Sequence, residues 1–159
     1  MVDKKVVKNE PLKKTFTKKK VKVVKKETNI VHVFGNRKRS KARVTLREGK
    51  GRIRINGFLL DDYKPDFAKA KIMEPLIIAG EIASKVDIKV NVQGGGWRSQ
   101  SDAIRLGIAR ALVKFSKDKV LERSFLDYDR HLMVADIRRK EQCKPNDSKA
   151  RAKRTKSYR

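Results

Sequence analysis

The chain has 159 residues and a formal charge of +25, from 43 lysines and arginines against 18 aspartates and glutamates. This length suits one domain with tails, and the charge indicates a polyanionic partner because the free chain repels itself. The longest apolar run, residues 76–80, is too short to span a bilayer, so we expect no membrane partner. One cysteine and two histidines argue against an intrachain disulfide and a metal site, and we expect no cofactor.

The N-terminal segment, residues 1–26, is rich in lysine. It holds eleven lysines against Asp3 and Glu10, and its scattered valines keep no sustained strand or helix period. An arm that orders against an anion and a solvated tail without a specific role explain this composition equally well. We therefore separate residues 1–27 as a lysine-rich N-terminal extension.

A globular domain is predicted over residues 28–135, beginning with two strands. The first strand, residues 28–34, ends at a turn-like Gly35-Asn36. In the second strand, residues 41–47, apolar and mostly basic residues alternate, so one face is predicted to be buried and the other cationic. A solvated surface is the usual explanation of such a charge run, but basic side chains along a strand also suit a phosphate backbone. The candidate phosphate ligands of this stretch are Arg37, Lys38, Arg39, Lys41 and Arg43.

The next stretch is predicted to complete the sheet and to add a helix. A hairpin turn at residues 48–51 leads into a third alternating strand over residues 52–57, which indicates an antiparallel sheet with one buried face. Pro65 suits the first turn of the helix, and Pro75 should kink or divide it near Glu74. The apolar residues at helical spacing in this segment are Phe67, Ala70, Met73, Leu76 and Ile77.

Three consecutive glycines, Gly94-Gly95-Gly96, join an alternating strand over residues 86–93 to a helix predicted from Ser99 to about Lys117. Ser99 suits the N-cap of this helix, with Asp102 in the capping-box position. One face of the helix is apolar and the rest of its surface carries cations. With the three glycines, the candidate phosphate ligands of this junction are Arg98, Gln100, Arg105 and Arg110.

The glycine junction has three interpretations. It can be a strand-to-helix turn that only packs closely, because glycine tolerates positive φ and close approach. An enzyme's phosphate loop is less well supported, since the run fits neither of the two common glycine-rich nucleotide-binding patterns. The charge of the rest of the chain favours the third interpretation, a surface of backbone amides and arginines that binds RNA phosphates.

The C-terminal segment changes in character after a short helix predicted over residues 121–128 and a last piece of core at residues 132–135. Residues 136–159 hold ten lysines and arginines against three acids and few apolar side chains, which predicts an extended basic tail. Arginine binds phosphate bidentately and stacks on bases, so it suits RNA better than lysine alone. The candidate RNA ligands of the tail are Arg138, Arg139, Lys149, Arg151, Lys153 and Arg154.

Several blocks of residues together resemble the family of the ninth protein of the small ribosomal subunit, in its archaeal and eukaryotic branch. The blocks occur in the family's order over about residues 29–159. They are Phe34-Gly35-Asn36-Arg37-Lys38, Ala42-Arg43-Val44, Ile55-Asn56-Gly57, Glu74-Pro75-Leu76, Gly94-Gly95-Gly96 with Ser99, Gln100, Ala103, Gly107 and Ala109-Arg110-Ala111-Leu112, Asp136-Ile137-Arg138-Arg139, and the terminal Lys156-Ser157-Tyr158-Arg159.

The resemblance implies a fold and a function. The fold is a compact α+β domain with a four-stranded sheet, two main helices on one side and a left-handed βαβ crossover. The function is that of a cytoplasmic, non-catalytic ribosomal component that binds small-subunit ribosomal RNA in the subunit head, beside other head proteins and without forming a homo-oligomer. The tail would reach the peptidyl site, where Lys156, Ser157, Tyr158 and Arg159 would contact bound transfer RNA.

Two other classes of function are weighed against this one. A chromatin-like DNA-binding protein would use the same basic tails, but the sequence has no helix-turn-helix pattern with a basic recognition helix. An RNA-processing enzyme or small-molecule kinase would use the glycine turn, yet no carboxylate pair, metal cluster or activated nucleophile is apparent. Binding of duplex DNA would support the first alternative, and turnover of RNA or nucleotide by the pure protein would support the second.

Overall fold

Five strands form one mixed sheet in the computed structural model, which describes residues 29–145 and 149–151. The strands are β1 Val31–Arg37, β2 Ser40–Glu48, β3 Ile53–Ile55, β4 Phe58–Leu59 and β5 Val86–Gln93. Their spatial order is β1-β2-β5-β3-β4, in which β3 and β5 are parallel and all other neighbours are antiparallel. The α+β class is confirmed. The sheet has five strands rather than four because the two residues of β4 fold back on β3.

The prediction that three successive strands form an antiparallel sheet was wrong. Strand β5 lies between β2 and β3, so the predicted hairpin turn at residues 48–51 is not formed: residues 49–52 are a connection that passes around the start of β5. The Asp87 carboxylate holds this connection, because its Oδ1 accepts hydrogen bonds from the backbone N–H of Lys50 at 2.9 Å and of Arg52 at 3.1 Å. Alternation of residue types predicts the faces of a strand, but it does not predict the neighbouring strand.

The turn between β1 and β2 lies three residues beyond the predicted one. It is formed by Lys38 and Arg39, and Lys38 has a left-handed φ of 52°. Gly35 belongs to β1, where an added Cβ would lie 2.1 Å from the Ala103 carbonyl oxygen. That glycine therefore permits close packing of the strand against a helix, which a sequence pattern cannot distinguish from a turn.

A second tight turn was not predicted. Asn56 and Gly57 both have left-handed φ values, 50° and 95°, and they close the hairpin between β3 and β4. An Asn-Gly pair between short apolar segments is a strong hairpin signal, so this turn could have been found in the sequence. The Asn56 side chain also fixes β5, since its Oδ1 accepts a hydrogen bond from the Val92 N–H at 2.8 Å.

The helices cover one face of the sheet. They are α1 Asp66–Ala79, α2 Glu81–Ser84, α3 Trp97–Ser116 and α4 Lys119–Tyr128, followed by a 3-10 turn Arg130–Leu132. Helix α3 packs on β1, β2 and β5, and α1 packs against α3. The core between them is aliphatic with one buried aromatic ring, and its largest fully buried side chains include Leu46, Ile55, Ile72, Ile88, Ile104, Ile108, Leu112 and Phe125. No element of the described residues, 29–145 and 149–151, packs on the opposite face, which we call the open face.

Helix α1 differs from its prediction in two ways. It is continuous through Pro75, so Pro75 does not divide the helix near Glu74 as one of the two predicted outcomes had it. Proline only removes one backbone hydrogen bond there, because its nitrogen cannot donate. The apolar residues at helical spacing lie mostly on its outer side, and the residues that it buries are Ala68, Ile72, Pro75 and Ala79. We call the outward set, Phe67, Ala70, Met73 and Ile77, the α1 stripe. Ile77 is 71% exposed.

Leu132 is the last fully buried side chain of the described core. Within the described part of the chain, residues 134–145 and 149–151 form no helix or strand. None of the helices in residues 29–145 and 149–151 combines the length and the apolar character that a membrane span requires.

Candidate nucleic-acid interface

The glycine junction lies directly against the β1–β2 hairpin. The Gly94 carbonyl oxygen accepts hydrogen bonds from the buried Ser40 hydroxyl at 2.9 Å and from the Gln100 amide nitrogen, Nε2, at 3.1 Å. Gln100, a predicted RNA ligand, is therefore engaged within the protein. These bonds join two loops that are far apart in the sequence into one rigid corner.

Two of the three glycines are required by this corner. Gly94 and Gly95 have positive φ values of 78° and 65°, which side chains rarely adopt. An added Cβ at Gly94 would lie 2.7 Å from the Arg39 carbonyl oxygen, and one at Gly95 would lie 2.2 Å from the Ser40 hydroxyl oxygen. Gly96 differs, because a Cβ there would meet nothing within 4 Å and its φ is −98°. The third glycine thus leaves backbone uncovered on the outer side of the corner.

The N-terminus of α3, which is the positive end of the helix dipole, lies at this uncovered backbone. Gly96 is the N-cap, so the prediction that Ser99 caps the helix was wrong; the Ser99 hydroxyl instead donates to the Gly96 carbonyl oxygen at 3.2 Å. The N–H groups of the first helical turn, residues 97–99, have no acceptor within the helix. An uncapped helix N-terminus attracts anions through these amides and through the helix dipole.

An open groove of about 780 Å³ joins the hairpin, the glycine junction and the start of the tail. The hairpin contributes Lys38, Arg39 and Lys41, and the junction contributes Gly95, Gly96 and Ser99. The tail contributes Arg138, Arg139 and Lys140. Among the described residues that line the groove, six are cations and none is a carboxylate. This composition suits phosphate groups.

The tail is held at the groove through Asp136. Its carboxylate binds the guanidinium of Arg37 and that of Arg138, with Arg138 Nη2 at 2.6 Å, and it accepts a hydrogen bond from the Arg138 N–H at 2.8 Å. The Arg138 side chain and N–H, followed by Arg37, hold the pKa of Asp136 far below its usual range. Asp136 is therefore ionised at neutral pH. Arg37 serves this internal contact and also lies 3.6 Å from Asp102, so it is not free for RNA.

Two predicted ligands on α3 face the protein interior. Arg105 is only 9% exposed, and its guanidinium pairs with Glu74 at 2.5 Å and with Asp129 at 2.7 Å. Desolvation raises the pKa of Asp129, but hydrogen bonds from the His131 N–H and from Arg105 outweigh it and lower that pKa. Arg110 is half-buried, and its Nε donates to the Met133 carbonyl oxygen at 2.8 Å. Both arginines bind the segment after α3 rather than face solvent.

The remaining predicted ligands are on the surface or outside the described residues. Arg98 is exposed on the first turn of α3, and Lys149 is exposed in the tail. Arg151 binds Glu141 through its Nε at 2.9 Å, which raises the pKa of that guanidinium. The predicted ligands that lie outside residues 29–145 and 149–151 are Lys153, Arg154, Lys156, Ser157, Tyr158 and Arg159.

Lys41 and Arg43 point to the open face of the sheet, where the structure adds residues that were not predicted. Pairing of β2 with β5 places Asn91 opposite Arg43 and Lys89 opposite Thr45, and Arg54 of β3 lies opposite Lys89. Lys140 of the groove was also missed. The alternation of β5 predicts that Lys89 lies on the polar face of its strand. That Lys89 lies beside the cations of β2 follows only from the order of the strands.

The carboxylates near the groove have cationic partners. Asp102 binds Lys71 at 2.5 Å, Asp129 binds Arg105, and Asp136 binds two arginines. Within the described ranges, no group of His, Cys, Asp and Glu residues is arranged to hold a metal ion. Carboxylates that are occupied by cationic partners make poor general acids, so this cluster is better understood as a structural network.

Comparisons with known proteins point to one family. The sequence model of the family described as ribosomal protein S9/S16 matches residues 35–159. The chain is 47% identical over 132 residues to the small ribosomal subunit protein uS9 of Methanococcus maripaludis strain C7, a match that covers 82% of this chain and 98% of that protein. The protein of the same name from strain C5 is similar to the same extent. Both kinds of comparison cover most of the chain.

Proposed function

The chain belongs to the ribosomal protein S9/S16 family, and from this membership we infer that it is a structural constituent of the small ribosomal subunit. It binds ribosomal RNA and takes part in translation in the cytoplasm, and it is not an enzyme. The observation that carries this inference is the family match over residues 35–159.

We propose that the groove and the exposed cations around it bind RNA phosphates in the subunit head. Six cations and the open amides of α3 converge there without a carboxylate among the described lining residues. Contacts of this kind position a protein on folded RNA more than they read its sequence. The proposed ligands in the described part of the chain are Lys38, Arg39, Lys41, Arg43, Gly95, Gly96, Arg98, Arg138, Arg139, Lys140, Lys149 and Arg151.

We also propose a division of the chain into three parts. The globular domain, residues 28–135, binds ribosomal RNA, while the basic tail, residues 136–159, orders on RNA because it has too few apolar side chains to fold alone. The last four residues of the tail, 156–159, contact the backbone of transfer RNA in the peptidyl site. Support for this last contact comes from the resemblance and the charge of the tail.

Two finer features remain proposals. The connection from β3 to the parallel strand β5 passes through β4, α1 and α2, and we propose that this crossover is left-handed, against the usual rule for parallel strands. Neighbouring head proteins are proposed as further partners, without formation of a homo-oligomer.

Sedimentation tests the proposed function. A tagged chain in cell lysate is run on sucrose gradients at low and high salt, with and without ribonuclease. We expect the protein to travel with the small subunit, to resist a high-salt wash and to be released when the RNA is cut. A protein that stays at the top of the gradient or follows chromatin would instead support the DNA-binding alternative.

A further inference from the structure

The open face of the sheet carries three cross-strand rows. The middle row is Phe34, Arg43 and Asn91, and the other rows continue the same pattern on either side. One flanking row consists of Asn36, Lys41 and Gln93. The other consists of His32, Thr45, Lys89 and Arg54. The face therefore combines four cations, three amides and two aromatic rings, and none of its members is a carboxylate.

The four cations of this face are available to a ligand. None of Lys41, Arg43, Arg54 and Lys89 forms an ion pair with the residues that the structure describes, 29–145 and 149–151. The nearest carboxylate in the rows of this face is that of Asp87, in the next row after Lys89. It accepts hydrogen bonds from backbone N–H groups of the β2–β3 connection. Within the described part of the chain, no carboxylate compensates these charges, so the face has a positive potential.

Phe34 ends the middle row on the edge strand β1, next to polar side chains of this face. It is 63% exposed, directly across from Arg43, and beside an open groove of about 550 Å³ whose lining includes Lys41 and Asn91. Phosphates need cations but no aromatic ring, and bases within a duplex are stacked on each other and cannot reach one. An unpaired base can stack on a phenyl ring while amides accept or donate at its edge.

We propose that the open face of the sheet binds an unpaired stretch of RNA, with one base stacked on Phe34 and the adjacent phosphates on Arg43 and Lys41. This proposal rests on the proposed function and narrows its ligand from RNA in general to a single-stranded segment. Asn91 and Asn36 lie beside Arg43 and Lys41 and face the edges of the stacked base.

Lys41 connects this face with the groove at the hairpin. It lines both the 550 Å³ groove beside Phe34 and the 780 Å³ groove of the glycine junction. An RNA strand that leaves Phe34 over Lys41 therefore enters the cluster of cations formed by the hairpin and the tail. The two surfaces form one continuous path for a phosphate backbone.

Fluorescence anisotropy of the full-length protein tests the proposal with a labelled short single-stranded RNA and with the duplex of the same sequence. We expect Phe34→Ala to raise the Kd for the single strand at least about fivefold and to leave the Kd for the duplex unchanged, since base stacking on an aromatic ring is worth about 1–3 kcal/mol. Phe34→Tyr should keep single-strand binding. Phe58→Ala is the matched control, because Phe58 is also exposed, at 70%, but lies on β4 away from the three rows.

A second measurement uses the assembled particle, where the tails cannot dominate binding. Ultraviolet cross-linking of small subunits that contain the protein, followed by mass spectrometry, should attach a nucleotide at Phe34 and none at Phe58. The proposal is overturned if Phe34→Ala binds the single strand as tightly as the wild type, or if it weakens duplex binding equally. A wild-type chain that binds neither RNA and stays out of the small subunit overturns the proposed function as well.

Discussion

At Gly95, both the backbone conformation and a steric clash disfavour any side chain. The φ of 65° is left-handed, and a Cβ would lie 2.2 Å from the Ser40 hydroxyl oxygen, which itself holds Gly94. We expect Gly95→Ser to lower the free energy of unfolding by about 1–3 kcal/mol. The same substitution at Gly96 is the control, because that position is open and serine is a favoured N-cap residue.

Urea unfolding of the two serine variants measures the difference. Gly96→Ser should match the wild type within about 0.5 kcal/mol or be slightly more stable. Equal losses at the two positions would show that the glycine junction does not depend on the close contact with the hairpin. Such a result would also weaken the assignment of the groove, whose two walls this contact joins.

Helix α3 shows what a helical pattern can and cannot predict about burial. The apolar face of α3 was predicted correctly, since Ile104, Ile108 and Leu112 are fully buried. Arg105 was expected to reach solvent because it falls outside that face. Its partners Glu74 and Asp129 come from α1 and from the end of α4, and a single-helix pattern contains no information on either.

At the scale of elements, Asp87 couples the β2–β3 connection to β5. Hydrogen bonds from the Lys50 and Arg52 N–H groups lower the pKa of its carboxyl, so the folded state binds a proton less readily than the unfolded chain does. The resulting stability is present above about pH 4 and is lost as the pH falls through the folded pKa. We expect the wild-type melting temperature to fall more steeply below pH 4 than that of Asp87→Asn.

Thermal unfolding between neutral and acidic pH checks this expectation. At pH 7 the Asp87→Asn variant should be less stable by about 1 kcal/mol, since an amide oxygen is a weaker acceptor than a carboxylate. Glu48→Gln supplies a control on the same connection, because Glu48 is exposed and forms no ion pair among the described residues. Parallel pH profiles for the wild type and Asp87→Asn would mean that other carboxylates determine the acid sensitivity.

Individual elements could be predicted from the sequence far better than their arrangement. Strand β5 was predicted at residues 86–93 from its strict alternation, and helix α4 at residues 121–128 from a short acidic and apolar stretch. Both are close to the observed Val86–Gln93 and Lys119–Tyr128. The order of the strands could not be predicted, since β5 enters the sheet between two strands that precede it. The cationic face of β2 was predicted, but its continuation through Lys89 and Arg54 depends on that order and emerged only from the structure.

For the whole molecule, the division between domain and tail predicts two separable activities. Deletion of residues 156–159 removes two of the ten cations of the tail and leaves every described cation of the groove and the open face in place. We expect the truncated protein to enter small subunits normally and the resulting subunits to bind peptidyl-site transfer RNA more weakly, by a fewfold to tenfold. Filter binding of transfer RNA to purified subunits measures the effect.

A control for the truncation keeps the length of the tail. Replacement of the last four residues by glycine and serine should reproduce the loss if charge and the tyrosine ring are responsible. Subunits that fail to assemble with either variant would contradict the division of labour between domain and tail.

The exposed α1 stripe affects how readily the protein aggregates before it enters the small subunit. Residues 58–84 hold five acids against three lysines, so this side of a chain with a charge of +25 is locally acidic as well as apolar. Repulsion between copies keeps newly synthesised chains apart while their cations are free. Once nucleic acid neutralises those cations, the repulsion is gone but the stripe is still exposed, and the hydrophobic contact can then drive aggregation. The tendency to aggregate is therefore greatest for a chain that has bound RNA outside the small subunit.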